Sequence, residues 1–202
     1  MTVARGGDEK TLAFYTGEAE KYAKFADPDG NPAPLEAFAS ELKPGASVLD
    51  FGCGSAWAAN RFRQLGFQIS AFDGSSGLAA QAKTLYDIDV TVGSFDEFQD
   101  TDAYDGIWAS FCLLHDRREA LPAHLRRLST ALRPKGRLYL GLIEGEGFER
   151  DGFERLYTYF QDEEVRAALG EAGFAVNTLD RTPGKKYDGS AVHELHFQAQ
   201  RR

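Results

Sequence analysis

Residues 47–56 constrain the fold more than any other part of the chain. A short apolar strand ends at Asp50, a turn with Gly52 and Gly54 follows, and a helical pattern then begins. The two glycines allow backbone angles that a side chain would disfavour, and they let the main chain lie directly against a ligand. A strand that passes through a glycine turn into a helix predicts a parallel α/β sheet with a ligand crevice at the strand's carboxyl end.

Two classes of ligand use such a turn. A dinucleotide matches the glycine pattern G-x-G-x-x-G, but here the third glycine position holds Trp57. An indole at that position would obstruct the packing of helix on strand and the approach of the pyrophosphate. S-adenosylmethionine has no phosphate and needs no third glycine there. The residues therefore favour S-adenosylmethionine (SAM) and leave an NAD(P)-dependent oxidoreductase as the alternative.

The turn resembles the first motif of class I SAM-dependent methyltransferases, acidic-x-G-x-G-x-G, with Ala56 where the last glycine usually stands. The resemblance covers roughly residues 40–200 and implies a three-layer α/β/α Rossmann-like sandwich. It also implies SAM as the cofactor and methyl transfer to a small-molecule acceptor by in-line displacement. A non-catalytic SAM-binding protein is a further alternative, because methyl transfer demands little of the side chains. The cofactor contacts predicted at this motif come from Asp50, Gly52, Cys53 and Gly54.

The order of predicted strands supports the same fold. Strand and helix alternate five times, and a helix and two strands at about residues 173–179 and 192–200 follow. The loop predicted for residues 181–190 leaves no room for a crossover helix between those two strands, so they should be antiparallel. The sequence thus predicts a seven-stranded, mostly parallel sheet with an antiparallel last strand.

A second part of the predicted cofactor site follows the second strand, residues 68–73. Asp73 ends that strand about twenty residues after the glycine turn, where a carboxylate accepts hydrogen bonds from ribose hydroxyls. The alternative is an acid at a helix N-terminus, since Gly74 and two serines begin the next helix. Asp73 and Gly74 both belong to the predicted site.

The resemblance implies further contacts at the ends of the third and fourth strands. Ser94 and Phe95, which follow the third strand (residues 89–93), would hold the adenine. Ala109 and Ser110, near the end of the fourth strand (residues 104–111), would lie near the methyl group and the methionine carboxylate.

The N-terminal region, residues 1–42, is predicted as a tail and lid helices, and residues 43–202 as the SAM-binding domain of a single-domain protein. Helices are predicted over residues 11–26 and 34–42. In the resembled family such a segment lies over the cofactor, with an aromatic side chain that reaches it. Tyr15 and Tyr22 are the candidates; the alternative is that both only pack against neighbours.

Methyl transfer requires alignment and exclusion of water, and a general base only when the nucleophile carries a proton. His115 follows the fourth strand and is the candidate base, because imidazole titrates in the right range. Alternatively, it packs or caps the next helix. Arg150 and Arg155 are candidates to bind an anionic acceptor, although a surface position is favoured for both. Three aromatic residues are candidate walls of the acceptor pocket: Phe148, Tyr159 and Tyr187.

The composition limits the binding partners and the cellular compartment that we expect for this chain. The formal net charge of −8 disfavours a nucleic-acid substrate, because phosphate binding requires a basic face. Two cysteines make no disulfide framework and favour the cytoplasm. The four histidines show no ligand spacing with them, so no metal is predicted. No apolar run has the length of a membrane helix, no secretory signal is expected, and the predicted state is monomer or homodimer.

Overall fold

The computed structural model describes residues 7–26 and 32–202. Within these residues, seven α-helices and nine strands follow one another in this order: α1 (Glu9–Gly17), α2 (Ala19–Ala26), α3 (Ala33–Ser40), β1 (Ser47–Phe51), α4 (Trp57–Gln64), β2 (Gln68–Asp73), α5 (Ser76–Tyr86), β3 (Thr91–Val92), β4 (Tyr104–Ser110), α6 (Leu121–Ala131), β5 (Leu132–Ile143), β6 (Phe148–Arg150), β7 (Leu156–Thr158), α7 (Asp162–Glu171), β8 (Phe174–Lys185) and β9 (Ala191–Arg201). Two 3₁₀ turns, Leu113–His115 and Arg118–Ala120, lie between β4 and α6.

Seven strands form one sheet in the order β3-β2-β1-β4-β5-β9-β8. The first five strands along the chain pair in parallel, and β9 pairs antiparallel with both β5 and β8. This arrangement confirms the predicted fold, including the antiparallel strand near the end of the chain. The strand order reverses between β1 and β4, and a crevice opens at the carboxyl ends of strands at such a switch point.

The sheet is covered by apolar residues on both faces. Ile107, Leu138 and Leu140 are fully buried in the larger cluster, to which α6 and α7 contribute. On the opposite face, Trp108 stacks on Tyr139 with ring centroids 3.6 Å apart, beneath α3 and α4. In the part of the chain that the structure describes, no helix combines the length and apolarity needed to span a bilayer.

The structure differs from the predicted elements in four places. The helix predicted over residues 11–26 divides into α1 and α2. Residues 144–152, for which the sequence predicts no strand, contain β6, which pairs with β7. β8 continues to Lys185, where a loop was predicted, because it pairs with β9 up to the Lys185–Ala191 pair. The third strand has only two residues. Within the predicted tail and lid region, residues 1–42, residues 1–6 and 27–31 lie outside the described residues.

Helix α1 lies directly on glycines of the β2–α5 region. A Cβ atom on Gly74 would lie 2.6 Å from the Cδ2 atom of Leu12, and one on Gly77 would lie 2.9 Å from the Cα atom of Thr16. The hydroxyls of Thr16 and Ser75 are also 3.1 Å apart. The close approach of α1 therefore depends on the absence of side chains at these two positions.

We predict opposite effects of alanine at two helical glycines. Gly170→Ala, where a Cβ meets no atom within 4 Å, should raise the free energy of unfolding by about 0.5–1 kcal/mol through helix propensity. Gly77→Ala should instead lower it by about 1–3 kcal/mol, because the Thr16 backbone must move. Urea unfolding of both variants measures the difference. Equal stabilisation by the two substitutions would show that α1 is not packed against α5.

Candidate functional site

A cavity of about 380 Å³ lies at the carboxyl ends of β1, β2 and β4, beneath α1. All predicted site residues except one line it: Tyr15, Tyr22, Asp50, Gly52, Cys53, Gly54, Asp73, Gly74, Ser94, Phe95, Ser110 and His115. The exception is Ala109, whose side chain is fully buried in the sheet core. Alternate residues of a strand face opposite sides of the sheet, so Trp108 and Ser110 face the cavity and Ala109 faces away.

The glycine turn between β1 and α4 leaves no room for a side chain at its first glycine. Gly52 has φ 71°, and a Cβ atom there would lie 2.8 Å from the Sγ atom of Cys112. The N–H groups of Gly52 and Cys53 donate to the carbonyl of Phe72, at 2.8 and 3.1 Å, which fixes the turn against β2. Ala56 adopts φ 63°, a left-handed conformation that costs a non-glycine residue about 1 kcal/mol or more. This strain explains why glycine is usual at this position in the resembled motif.

Asp50, at the end of β1, binds the helix that follows the glycine turn. Its Oδ2 atom accepts a hydrogen bond of 2.9 Å from the N–H of Ala59, in the first turn of α4. The residue is only 4% exposed. Burial raises the pKa of Asp50 to about 7, against the opposing effect of the Ala59 hydrogen bond. A cationic ligand group in the cavity would therefore stabilise the ionised form.

Asp73 joins the glycine turn to the next helix. Its two oxygens accept hydrogen bonds from the N–H groups of Gly54, at 2.8 Å, and Ser75, at 2.7 Å. Burial raises the pKa of Asp73, while these N–H groups act to lower it. The predicted alternative role, an acid at the start of a helix, is therefore present. The backbone N–H of Gly74 also contributes a hydrogen bond to Asp73. A carboxylate has about four lone-pair sites, so one remains for a ligand hydroxyl.

The loop after β3 contributes one polar and one aromatic residue to the cavity. The N–H and hydroxyl of Ser94 both donate to Glu97, at 2.8 and 3.0 Å, so this hydroxyl is already engaged within the loop. Phe95 packs on Phe51 with ring centroids 5.0 Å apart. The apolar face of Phe95 is thus held at the cavity wall by the core.

His115 is held by two hydrogen bonds that fix its tautomer. Its Nδ1 atom lies 2.6 Å from the carbonyl oxygen of Leu156, and its Nε2 atom lies 2.9 Å from the hydroxyl of Tyr15. A carbonyl only accepts, so Nδ1 carries the proton and Nε2 accepts from Tyr15. Burial lowers the pKa of His115 to about 4, with a further lowering from Arg155. The imidazole is therefore neutral at pH 7, with its lone pair on Nε2.

Arg155 lies at the centre of the cavity cover rather than on the surface. Its side chain is fully buried, and its Nε and Nη2 atoms donate to Asp151 at 3.0 and 2.6 Å. Its Nη1 atom donates to the hydroxyl of Tyr15 at 3.2 Å. Five aromatic rings surround the Cζ atom at 4.7–5.8 Å: those of Phe14, Tyr15, Phe153, Tyr157 and Tyr187. The guanidinium thus joins α1 to the β6–β7 and β8–β9 turns.

Of the three aromatic candidates for the wall of the acceptor pocket, one lines the cavity and two do not. Tyr187 lines the cavity, whereas Phe148 is 74% exposed and Tyr159 donates to Glu149 outside the cavity. Arg150 lies at the surface and binds Asp8 through two contacts of 2.9 and 2.6 Å. Several residues of the cavity wall are not among the predicted site residues, including Ile143, Tyr157, Lys186 and Val192. The aromatic residues that flank Arg155 in the sequence were the available signal.

A parallel sheet with a glycine turn and a carboxylate after β2, both facing one crevice, defines a nucleoside-binding α/β protein. A family model described as "Methyltransferase domain" matches residues 22–179, most of the chain. The chain belongs to this methyltransferase domain family, which confirms the predicted class of protein.

Relatives of known sequence and structure agree with this assignment. The ubiquinone biosynthesis O-methyltransferase of Xanthomonas campestris pv. campestris (strain B100) is 27% identical over 150 residues. The match covers 64% of this chain and 62% of that protein, so the chain spans less than two thirds of its relative.

Two solved structures share the fold. The 1,6-didemethyltoxoflavin-N1-methyltransferase of Burkholderia thailandensis, with bound S-adenosylhomocysteine, has a TM-score of 0.77 at 22% identity, covering 95% of this chain and 87% of that one. A SAM-dependent methyltransferase of Methanosarcina mazei has a TM-score of 0.74 at 16% identity, covering 85% and 98%.

The pKa of Asp50 generates a prediction for stability. Unfolded Asp50 loses its proton near pH 3.8 and folded Asp50 near pH 7. Between these values the unfolded chain binds fewer protons, so stability falls as the pH rises. Asp50→Asn keeps an acceptor for Ala59 and removes this loss. From pH 5 to pH 8, the unfolding free energy of the variant should gain about 2–3 kcal/mol relative to wild type.

Urea unfolding at both pH values provides the measurement. Glu171→Gln, at an exposed position on α7, is the matched control and should show no such gain. A constant difference between Asp50→Asn and wild type would mean that Asp50 is ionised throughout this range.

Proposed function

We propose that the protein transfers the methyl group of SAM to a small-molecule acceptor. The observation that carries the proposal is the meeting of the glycine turn and Asp73 in one cavity. Membership of the methyltransferase domain family supports it. The names of two similar proteins specify an O-methyltransferase and an N1-methyltransferase. They agree on methyl transfer and differ in the acceptor atom.

The charges of the cavity fit this cofactor. SAM supplies a methyl group on a positively charged sulfur, and such a cation would stabilise the ionised forms of Asp50 and Asp73 at the β1–β2 end of the cavity. In the proposal, Asp73 accepts from the ribose hydroxyls, and Phe95 packs on the adenine. Asp50 faces the positively charged part of the cofactor across the Gly52–Gly54 backbone. Ser110 lies on the same wall, near the methionine end.

The cover of the cavity fits the need to exclude water from the reacting atoms. Residues 1–42 are proposed as the lid of the domain formed by residues 43–202. Tyr15 and Tyr22 of this region line the cavity, with ring centroids 4.8 Å apart. Tyr15 is bound to His115 and Arg155. Tyr22 is therefore the better candidate for contact with the cofactor.

Titration calorimetry with SAM, S-adenosylhomocysteine and NAD tests the cofactor. We expect micromolar affinity for SAM and none for NAD. Asp73→Asn should weaken SAM binding at least tenfold, about 1.4 kcal/mol, because the ribose loses a charged acceptor. Asp89→Asn, whose side chain is 88% exposed before β3, is the matched control and should bind like wild type. Binding of NAD without SAM would contradict the proposed function.

A further inference from the structure

A chain of hydrogen bonds runs from Arg155 through Tyr15 to His115, and the donor and acceptor of each bond can be assigned. The Leu156 carbonyl fixes the proton on Nδ1, so the Tyr15 hydroxyl must donate to Nε2. Arg155 carries only donors, so its Nη1 atom donates to the oxygen of the same hydroxyl. The ring of His115 lines the cavity, but the lone pair on its Nε2 atom is therefore occupied by the Tyr15 hydroxyl. A substrate proton reaches His115 either by displacing Tyr15 or by passing through it.

The surroundings of Tyr15 favour passage through it over displacement. Its ring lies 5.6 Å from the Arg155 guanidinium and packs edge-on against His115 at 5.4 Å. Its backbone belongs to α1, which the Thr11 hydroxyl joins to β7 by accepting from the Leu156 N–H at 2.8 Å. Displacing the hydroxyl would break its contacts with both Arg155 and His115. Tyr22 also interacts with this hydroxyl, and an acceptor would replace that single contact.

We propose that Tyr15 is a catalytic residue: its oxygen takes the proton of an acidic acceptor hydroxyl as its own proton passes to Nε2 of His115. This inference rests on the proposed methyl transfer, and it replaces the contact with SAM that the sequence predicted for Tyr15. The Arg155 guanidinium, 3.2 Å from the Tyr15 oxygen, stabilises negative charge that develops there during the transfer.

The step balances. The acceptor O–H bond breaks and its proton bonds to the Tyr15 oxygen, while the Tyr15 proton bonds to Nε2. The acceptor oxygen forms a bond to the methyl carbon, and the carbon–sulfur bond breaks with its electron pair left on sulfur. The products are a methyl ether, S-adenosylhomocysteine and a positively charged His115. After the products leave, His115 returns its proton through the Tyr15 hydroxyl, by the reverse of the same relay, to water that enters the cavity. Tyr15 ends as it began, a neutral phenol.

The weak basicity of His115 restricts the acceptor. Its pKa of about 4 makes proton transfer from a phenol, with a pKa of about 10, unfavourable by about six powers of ten. Transfer from a hydroxyl as weakly acidic as water, pKa about 15.7, is unfavourable by about twelve. The ring-lined cavity and the fixed cation of Arg155 also suit a planar acceptor that becomes an anion. The acceptor class is therefore a phenol or enol, not an aliphatic alcohol.

Two measurements test the inference. In the first, ¹⁵N-histidine NMR of the whole protein determines the tautomer of His115, assigned with His115→Gln. We expect the proton on Nδ1 and an Nε2 resonance that shifts in Tyr15→Phe. A proton on Nε2, or a resonance that does not respond, would overturn the chain. This measurement requires no substrate.

In the second, SAM and a series of para-substituted phenols, from phenol to nitrophenols, are the probes. Tyr15→Phe should lower kcat about 100-fold or more on phenol, with SAM affinity within about twofold of wild type. The loss should shrink as the phenol becomes more acidic, because less proton transfer is then needed. Tyr104→Phe, which loses a 2.6 Å bond to Asp100 away from the cavity, is the matched control and should retain wild-type turnover.

The outcomes separate the two proposals. Unchanged turnover in Tyr15→Phe would overturn the relay and leave methyl transfer intact. If wild type binds SAM but methylates no phenol, the acceptor class is wrong and the proposed cofactor stands. Absence of SAM binding by wild type would remove the proposed function and the relay together. In every case the NMR measurement reports on the hydrogen-bond chain by itself.

Discussion

The two buried carboxylates hold the site together. Asp50 binds the N–H of Ala59, and Asp73 binds those of Gly54 and Ser75, so each ties the carboxyl end of a strand to the start of a helix or to the glycine turn. Burial raises the pKa of both carboxyls, so their ionised forms are costly to bury without a cationic partner. A cationic ligand removes that cost. The groups that limit stability are thus the groups that favour binding, as in many functional sites.

The cover of the cavity depends on a different interaction. Arg155 is a fully buried charge, and its carboxylate partner Asp151 lies on the same turn. Alone, such a pair gains little from burial, because desolvation offsets the attraction between the charges. The aromatic rings and hydrogen-bonding groups around Arg155 come from α1 and two separate turns. The guanidinium therefore holds these three segments together. Because Tyr15 donates to His115 from this cluster, the same contacts set the geometry of the candidate base.

The sequence predicts the sheet and most of the residues that line the β1–β2 side of the cavity, because local patterns specify them. The glycine turn, Asp73 at a strand end and the short link before β9 each depend on residues close in sequence. The cover was harder to predict, because its contacts join distant segments. Arg155 is polar and lies in a glycine-rich stretch, where exposure is the common outcome. The burial of Arg155 follows from five aromatic rings that only the fold brings together. The β6–β7 hairpin was not predicted, because its strands have too few residues to show the alternation of apolar and polar residues typical of a strand.

The two ends of the cavity differ in charge, and this difference bears on the chemistry. The end near β1 and β2 carries Asp50 and Asp73, without a basic partner of their own among the residues that the structure describes. The end under the cover is lined by Lys185, by Glu194, and by Arg155 and Lys186, which form ion pairs with Asp151 and Glu149. Methyl transfer from a sulfonium to an anionic oxygen removes one positive and one negative charge. A transition state less charged than its reactants gains when water is excluded, because the lost solvation then belongs mainly to the reactants.

If the acceptor stays neutral until it attacks, the positive charge of the sulfonium passes to the methylated acceptor and is not cancelled. That new positive charge would then be repelled by the Arg155 guanidinium. The charge distribution of the closed cavity thus gives a second physical reason to expect an acidic acceptor, beside the weak basicity of His115.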